Sequence, residues 1–452
     1  MAEHNCLWKP EFAVRISAYL CWLITCTFTF ATTCNLFNKS AAFRSIILLS
    51  ILPFFFGIGF AMTPDAPLTA CWAGAFYFIE RALIGEKHKA WWGVGICIGL
   101  GLLSKYTIVL LAPAIILFLI IDSRSRHWFY SPKPYIAAII ALLLFSPVIF
   151  WNYSHDWASF AFQGARRAQG SFHFSLGDLI VYIMVLLSPV GVFAAFYSMF
   201  RRINIPGDSA RDALRKHKLA LVFTLLPLSV FFLFSITKRV QYDWTGPVWL
   251  AILPFIAYDM VANINKKTSR FLKTIQCVWP ATIVFLMLFY GIILHYVTLG
   301  LPGVPYPENA PLVGWRQTMA KQIESIETEL ELRTGLEPFV VGMDKYKIAS
   351  ELSFYRSEDK EDSIEYSENE GVLFTTGRHL FGNNSLMYAY WVPKHEIGKN
   401  PLIIISNERS DLEKLSENPQ LDKIGQIHCN IITKDAAIIG RYYYCIAEKY
   451  IP

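Results

Sequence analysis

Long apolar runs separated by short polar segments dominate the first 300 residues. Runs long enough to cross roughly 30 Å of hydrocarbon occur at residues 13–36, 44–62, 66–84, 90–103, 106–121, 135–151, 178–200, 219–236, 245–262 and 275–298. The run at 90–103 is short and rich in glycine, so its ends are the least sharply defined. The pattern predicts a polytopic α-helical membrane protein with about ten spans.

The pattern changes after Leu301, where Asp and Glu become common and no further spanning run occurs. Helix-like segments at 311–333, 345–354 and 411–415 alternate with short β-like runs at 339–342, 372–376, 402–406 and 441–447. Short apolar runs mixed with helical segments are typical of a packed α/β unit. We therefore predict a multi-span domain over 1–300 and a small C-terminal α/β domain over 301–452.

Composition and charge support this class. The chain is 54% hydrophobic and only 17% charged, which is too apolar for an ordinary soluble protein. Basic residues concentrate in alternate loops, such as those with Lys39 and Arg44 or with Lys266 and Lys267, and such loops face the cytoplasm. The N-terminus and the domain after 300 are then extracytoplasmic, and the net charge of +6 indicates topology rather than nucleic-acid binding.

The loops on the other side carry few basic residues, and these fall in four polar segments: residues 63–65, 104–106, 151–167 and 237–244. The basic residues are Lys105, Arg166, Arg167, Lys238 and Arg239. Ionisable groups beside hydrocarbon are costly and tend to be kept for a function. The four segments therefore predict one shared site at a membrane boundary.

Two of these residues have a structural as well as a functional interpretation. Asp65 follows Thr63 and Pro64, which also fits an ordinary helix start with a cap, a first-turn proline and an acid at the positive end of the dipole. Lys105 lies between two apolar runs, where a lysine can simply extend its ammonium to the interface. The functional alternatives are a site carboxylate and a phosphate-binding cation.

The loop after residue 150 offers further candidates. His155 beside Asp156 is a pair that can act as a base or bind a metal, but adjacent residues of these types are common. Trp151 fits the interfacial aromatic belt. Arg166 and Arg167 are better suited to hold a phosphate or another anion.

Nine cysteines occur without metal-binding spacing. Cys429 and Cys445 lie near strand-like runs in the C-terminal domain, where an oxidising compartment would permit a disulfide. A disulfide and two free thiols remain equal alternatives.

Four stretches resemble one known family: AMTPDAPLTACWAGAFYFIERAL, GLGLLSKYTIVLLAPAIILFLI, SPVIFWNYSHDWASFAFQGARR and TKRVQYDWTGPVWLAILP. The combination of TPDAPL with LLSKYT is the most specific part. The chain resembles bacterial membrane glycosyltransferases of GT-C architecture, which relate to protein O-mannosyltransferases and to the transferase that adds aminoarabinose to lipid A. GWRQTMAKQI and NNSLMYAYW resemble their outer domain.

The resemblance implies transfer of a sugar from a polyprenyl-phosphate donor to an envelope glycolipid, lipid A or lipopolysaccharide core, on the outer face of the inner membrane. It implies that Lys105 binds the carrier phosphate, together with at least one of Lys238 and Arg239. Asp65 would position the acceptor, bind a divalent metal or act as the second carboxylate, and Asp243 and Trp244 would shape the sugar pocket. No nucleotide sugar is expected, since no glycine-rich nucleotide loop occurs.

One departure from the family affects the expected mechanism. PEFAVRISAYL at residues 10–20 resembles the segment that follows a first outer loop carrying the main catalytic carboxylate. The sequence therefore predicts that this carboxylate lies outside these 452 residues, through a late start or a truncation.

Three alternatives to envelope-glycolipid transfer remain. A protein acceptor is less favoured. A non-catalytic remnant or accessory subunit that binds polyprenyl phosphate is the main alternative. A transporter of lipid-linked sugars is weakest, because transporters carry their charges near the midplane and often show repeats.

Overall fold

The chain folds into two compact units, Met1–Phe289 and Tyr290–Pro452. The computed structural model describes residues 10–164, 172–201, 205, 207–261, 269–309, 315–360, 374–416, 418–434 and 437–451. The division lies inside a helix, eleven residues before the boundary expected at 300. The reason is local packing, since Tyr296 near the end of that helix stacks on Tyr306 and joins the core of the second unit.

The first unit is helical throughout its described part. Its helices are α1 (Pro10–Leu36), α2 (Lys39–Ile51), α3 (Pro53–Ile58), α4 (Asp65–Leu83), α5 (Ala90–Ser104), α6 (Leu111–Ile121), α7 (Pro132–Ser154), α8 (Ala158–Gln163), α9 (Leu176–Phe200), α10 (Ala210–Ser235), α11 (Leu253–Val261) and α12 (Arg270–Leu299). Short 3-10 turns lie at Tyr106–Leu110, Arg126–Tyr130 and Gly246–Ala251.

Five described helices are long and apolar enough to cross a membrane, namely Ala13–Leu36, Pro132–Ser154, Leu176–Phe200, Ala210–Ser235 and Arg270–Leu299. They coincide with five predicted spans, which confirms a polytopic helical membrane protein. The other predicted spans form shorter or broken helices. The run at 44–62 divides at Leu52, whose ψ of 130° is extended, because proline disfavours a helical residue before it.

Helix α5 packs very closely on α7, and its glycines are the reason. A Cβ on Gly95 would lie 2.5 Å from the carbonyl oxygen of Ala137, and one on Gly99 would lie 3.0 Å from the Cα of Ala141. Small residues four apart let two membrane helices approach at backbone distance. The glycine-rich run at 90–103 is therefore an interface, and it fixes the height and rotation of α5.

A buried ionic network joins α10 to α4 and to the link after α6. The Arg215 guanidinium donates through Nε to Asp122 Oδ2 at 2.7 Å, and through Nη2 to the carbonyl of Leu83 at 2.6 Å and to Ser125 Oγ at 3.0 Å. Arg215 is only 7% exposed, so its fork is bound by protein partners. This network connects α4, α10 and the link after α6.

The second unit is a small α/β domain, as predicted. Its helices are α13 (Trp315–Thr334), α14 (Lys347–Lys360), α15 (Tyr388–Trp391), α16 (Lys394–Ile397) and α17 (Arg409–Glu413), and its strands are β1 (Phe339–Gly342), β2 (Thr375–Gly377), β3 (Leu402–Ser406), β4 (Leu421–Ile424), β5 (His428–Lys434) and β6 (Ala437–Tyr450). The strand order is β2-β1-β3-β6-β4, with β5 paired to β6. Strands β1, β2 and β3 are parallel, and β6 is antiparallel to its neighbours.

Apolar clusters cover both faces of this sheet. One face holds Trp315 and Tyr442, and the other holds Cys445. Both Cys429 and Cys445 are free thiols, the first exposed and the second buried. In the β5–β6 pair Cys429 lies opposite Tyr443 rather than Cys445.

Candidate active site

Three of the predicted site residues meet in one ionic cluster. The Lys105 ammonium donates to Asp65 Oδ1 at 2.8 Å and to Asp243 Oδ2 at 2.7 Å. The side chains are 23%, 9% and 18% exposed, in that order. The start of α4, the end of α5 and the segment after α10 thus converge on a single cation.

The Asp65 carboxylate bonds this lysine and does not cap its own helix. Helix α4 begins at Asp65, and no side-chain hydrogen bond caps its described start. The backbone around it is fixed by neighbours: Ser104 Oγ donates to the carbonyl of Pro64 at 2.6 Å, and Thr69 Oγ1 donates to the carbonyl of Asp65 at 2.6 Å. No cap from Thr63 is seen, whereas Asp65 does occupy the first-turn position that the helix-start interpretation assigned to it.

Lys105 is held by the end of a helix rather than by a loop. Its backbone is extended, at φ −156° and ψ 131°, and it alone separates α5 from the following 3-10 turn. Tyr106 continues the contact network, since its hydroxyl lies 2.5 Å from Ser159 Oγ. The ammonium is thus placed by two rigid elements.

The pairing favours the charged forms of Lys105 and Asp243, whereas burial outweighs the attraction of Lys105 at Asp65 and raises the pKa of Asp65 to about 6. Burial disfavours the charged form of Lys105, but the two carboxylates outweigh it and raise the pKa of Lys105. Burial also works against the charge on Asp243, but the attraction of Lys105 and the hydrogen bonds keep the pKa of Asp243 below its ordinary value. The pair is therefore ionic at neutral pH.

The segment between α10 and residue 246 carries three other predicted residues, and a buried serine fixes its path. Ser175 Oγ donates to the carbonyl of Lys238 at 2.7 Å and accepts from the amide of Val240 at 3.2 Å. Lys238 is half-buried and Arg239 is exposed. Two basic residues thus lie on the segment that delivers Asp243 to the cluster.

Trp244 packs inside this segment. Its ring contacts Phe231 and Phe234, with centroids 5.9 and 5.3 Å away, and its Nε1 donates to Gln241 Oε1 at 3.0 Å. The residue is only 9% exposed. Trp244 therefore anchors the segment next to Asp243, and its ring faces are occupied by protein.

The buried side chain of Asn152 organises the turn after α7. Asn152 is fully buried, and its Oδ1 accepts from the amides of Ser159 and Phe160 at 3.1 and 3.3 Å. His155 stacks on Trp151 at 4.1 Å between centroids. The Nδ1 atom of His155 also lies 2.8 Å from the carbonyl oxygen of Trp151, in the same turn.

Arg166 and Arg167 lie outside the described residues. A divalent metal also stays a prediction, since the described ranges contain no group of three or more His, Cys, Asp or Glu side chains. Asp65 and Asp243 are the two carboxylates at the cluster, and each already bonds the ammonium.

An apolar groove of about 640 Å³ lies between α9 and α10. It extends from Ile180 and Leu233, at the helix ends next to the 236–245 segment, to Phe200. Helix α9 is kinked within this stretch, where Ser188 before Pro189 has φ 61° and ψ 157°. The groove thus runs along both halves of α9 from the helix end next to the 236–245 segment.

Comparison with known proteins shows which fold the chain has. Residues 6–151, which contain Asp65 and Lys105, match the family described as dolichyl-phosphate-mannose-protein mannosyltransferase. The crystal structure of ArnT from Cupriavidus metallidurans in the apo state superposes with a TM-score of 0.54 at 13% identity, over 95% of this chain and 83% of ArnT. The chain resembles the bacterial GT-C membrane glycosyltransferases, and it has the GT-C fold.

Two further comparisons concern a second ArnT structure and a curated relative. ArnT bound to undecaprenyl phosphate superposes with a TM-score of 0.51 at 13% identity, over 96% of this chain and 84% of ArnT. The lipopolysaccharide core galacturonosyltransferase RgtA of Rhizobium johnstonii is 24% identical over 259 residues, or 55% of this chain and 50% of RgtA. The chain thus spans about half the length of the curated relative that it matches.

Proposed function

We propose that this protein is a glycosyltransferase that takes a sugar from a polyprenyl-phosphate donor and transfers it to an envelope glycolipid. The observation that carries the proposal is the Lys105 ammonium held between Asp65 and Asp243 where apolar helices end. A lipid-linked phosphate lies at the same depth, at the junction of hydrocarbon and headgroups. The GT-C fold supports the same class of reaction.

Lys105 is suited to bind the carrier phosphate. An ammonium has three N–H donors, and two of them point to carboxylates, which leaves one for a phosphate oxygen. Arg239, exposed on the same segment as Asp243, supplies a planar fork that matches phosphate geometry. These two cations are the proposed donor-binding groups, with Lys238 as the third.

In the reaction, an acceptor hydroxyl oxygen bonds to the anomeric carbon while the bond from that carbon to the phosphate oxygen breaks. The electron pair stays on the departing phosphate, where negative charge develops, and the hydroxyl proton passes to a carboxylate base or to that phosphate, so the step balances. Preorganised cations stabilise such charge most effectively in a water-poor site. Asp65 and Asp243 hold Lys105 in place for this role and are the carboxylates nearest to it.

The groove between α9 and α10 supports a donor with a long apolar tail. It begins beside the 236–245 segment and is lined by aliphatic and aromatic side chains such as Ile180, Phe196 and Leu233. An isoprenoid chain laid along it would place its phosphate near Lys238 and Arg239. ArnT has been solved with undecaprenyl phosphate, which is a donor of this chemical class without its sugar.

The proposed acceptor is lipopolysaccharide core or lipid A. RgtA is named as a lipopolysaccharide core galacturonosyltransferase, whereas the matching family is described by a protein acceptor. The loop charges favour an inner-membrane protein whose C-terminal unit faces the periplasm, the compartment where a core saccharide would be available after export.

Mass spectrometry of envelope glycolipids tests the proposal. A strain lacking the gene is compared with the same strain expressing the wild-type chain, the Lys105→Ala variant or the Lys39→Ala variant, in which an exposed lysine at the start of α2 is removed. We expect a sugar-sized mass increment with the wild type and with Lys39→Ala, and none with Lys105→Ala. Identical glycolipids in all strains would refute a glycolipid acceptor, and an increment found on proteins instead would identify the other acceptor class.

A further inference from the structure

A polar pocket lies in the C-terminal unit, at the carboxyl ends of its parallel strands. Strand β1 lies between β2 and β3, so the chain crosses from one side of β1 to the other. In open α/β sheets such a reversal of strand order opens a crevice beyond the carboxyl ends of the strands, and ligands bind there. A pocket of about 320 Å³ occupies this position.

The pocket is lined by residues that follow each of the three parallel strands. Arg378 follows β2 directly, Asp411 and Lys414 lie on or beside α17 after β3, and Met343 follows β1. The rest of the polar lining comes from Asn383 and Asn418, with Phe381 as the aromatic residue.

The turn that carries the arginine is held by contacts that exclude larger residues. A Cβ on Gly377 would lie 2.6 Å from Ser385 Oγ, and that hydroxyl accepts from the amide of His379 at 2.8 Å. The Asn383 amide donates to the carbonyl of Arg378 at 3.3 Å. The turn thereby brings the arginine and the asparagine to the same pocket.

The carboxylate of Asp411 is also held in place by its neighbours. Ser406 Oγ, at the end of β3, donates to Asp411 Oδ2 at 3.1 Å, and Lys414 Nζ lies 3.5 Å from Asp411 Oδ1. Lys414 is 75% exposed, so its ammonium can turn to a ligand at low cost. Two cations and one carboxylate give the pocket a formal charge of +1.

This set of groups matches an acidic saccharide. Arg378 uses Nε to donate to the Asn384 carbonyl at 3.2 Å, which leaves its terminal nitrogens to face a carboxylate or phosphate. The two asparagine amides and Asp411 can bond ring hydroxyls, since they supply both donors and acceptors. Phe381 offers an apolar surface for the sugar ring.

We propose that this pocket binds a sugar that bears a carboxylate or a phosphate. It is a binding site of the C-terminal unit, built from that unit alone, and it does not depend on the transfer reaction proposed above. Its most direct use would be to hold an acidic glycan close to the protein.

Calorimetric titration of the full-length protein in detergent tests the proposal. The probes are glucose 6-phosphate, glucuronate, glucose and inorganic phosphate. We expect both acidic sugars to bind and both glucose and inorganic phosphate to bind at least about tenfold more weakly, since one charged hydrogen bond contributes about that factor.

Two variants and a matched control complete the test. Arg378→Gln and Lys414→Gln should each weaken the acidic sugars about tenfold, whereas Lys423→Gln, an exposed cation on β4 outside the pocket, should bind as the wild type does. Lys414→Gln is informative even if the arginine variant misfolds. No binding of any probe, equal binding of glucose or inorganic phosphate, or unchanged binding by the two pocket variants would overturn the proposal. Each of these outcomes can occur whether or not the protein transfers sugar.

Discussion

Replacing Lys105 by methionine should destabilise the membrane unit by leaving two carboxylates face to face. The bonded oxygens of Asp65 and Asp243 lie 2.8 and 2.7 Å from Nζ, so they are at most about 5.5 Å apart. Methionine keeps the length of the side chain and removes only the charge and the donors. All three side chains are less than a third exposed, so solvent screens the repulsion weakly.

The size of the effect follows from this geometry. At an effective dielectric constant of about 20, two like charges about 5.5 Å apart repel by roughly 3 kcal/mol. Removal of one partner from a buried ion pair commonly costs about 3–5 kcal/mol, and the repulsion of the two carboxylates lies at the lower end of that range. At about 2–4 °C per kcal/mol, the Tm should fall by roughly 6–12 °C.

The assay is thermal unfolding in detergent, with Lys39→Met as the control for loss of an exposed lysine. Adding Asp243→Asn to Lys105→Met removes one of the facing charges, so most of the lost Tm should return while sugar transfer stays absent. That pattern separates the structural role of Lys105 from its proposed role at the phosphate. A Tm for Lys105→Met within about 1 °C of the wild type would refute the ionic coupling.

The loss of Tm in Lys105→Met should depend on pH in a defined direction. In the wild type the pKa of Asp243 is lowered from 3.8, so its stabilising effect is complete above that value and is lost as the pH falls through the lowered pKa. The pKa of Lys105 is raised, so its effect is complete below 10.5 and is lost only as the pH rises through the raised pKa. The gap between wild type and Lys105→Met should therefore be widest at neutral pH and narrow in acid, where the facing carboxylates take up protons. A constant gap down to about pH 4 would contradict the assignment.

Three other variants test separate features. Ser175→Ala removes the buried hydroxyl that bonds the Lys238 carbonyl. We expect the free energy of unfolding to fall by about 1–3 kcal/mol and the KM for the donor to rise. Unchanged Tm and KM would argue against this positioning role. Gly440→Ala places a methyl 2.6 Å from the Trp315 ring and should cost about 1–3 kcal/mol, seen as faster proteolysis of the C-terminal unit, whereas wild-type resistance would show that the ring can move. Cys429 is exposed and should react in intact spheroplasts with a membrane-impermeant maleimide. The Cys429→Ser variant serves as the blank. Labelling that requires detergent would place this unit in the cytoplasm.

Much of the fold could be predicted from hydrophobicity, because long apolar runs have few alternatives to a membrane helix. The five long spans are of this kind, and the short apolar runs at β1 and β3 form buried strands of the second unit. The break at Leu52 needed one more rule, the effect of a following proline. Strands β4 and β5 were not predicted, since their mixed patterns become strands only through pairing with β6.

The candidate site shows a similar limit. Asp65 and Lys105 could be selected from sequence because charged residues at the ends of apolar runs are conspicuous. Their bond to each other, and the shared bond to Asp243, could not be predicted, since 138 residues separate Lys105 from Asp243. Buried polar groups such as Ser175 and Asn152 give no sequence signal of their role, because serine and asparagine are common in every loop.

The single-residue junction at Lys105 makes chain length itself a constraint. Helix α5 ends at Ser104 and the next turn begins at Tyr106, so no slack exists to absorb an insertion or a deletion. One residue more in the last turn of α5 would rotate Lys105 by about 100° around the helix axis and shift it by about 1.5 Å, which would carry the ammonium away from both carboxylates. Related sequences should therefore tolerate exchange of exposed apolar residues such as Ile96 and Leu100, yet keep the spacing between these two helices unchanged.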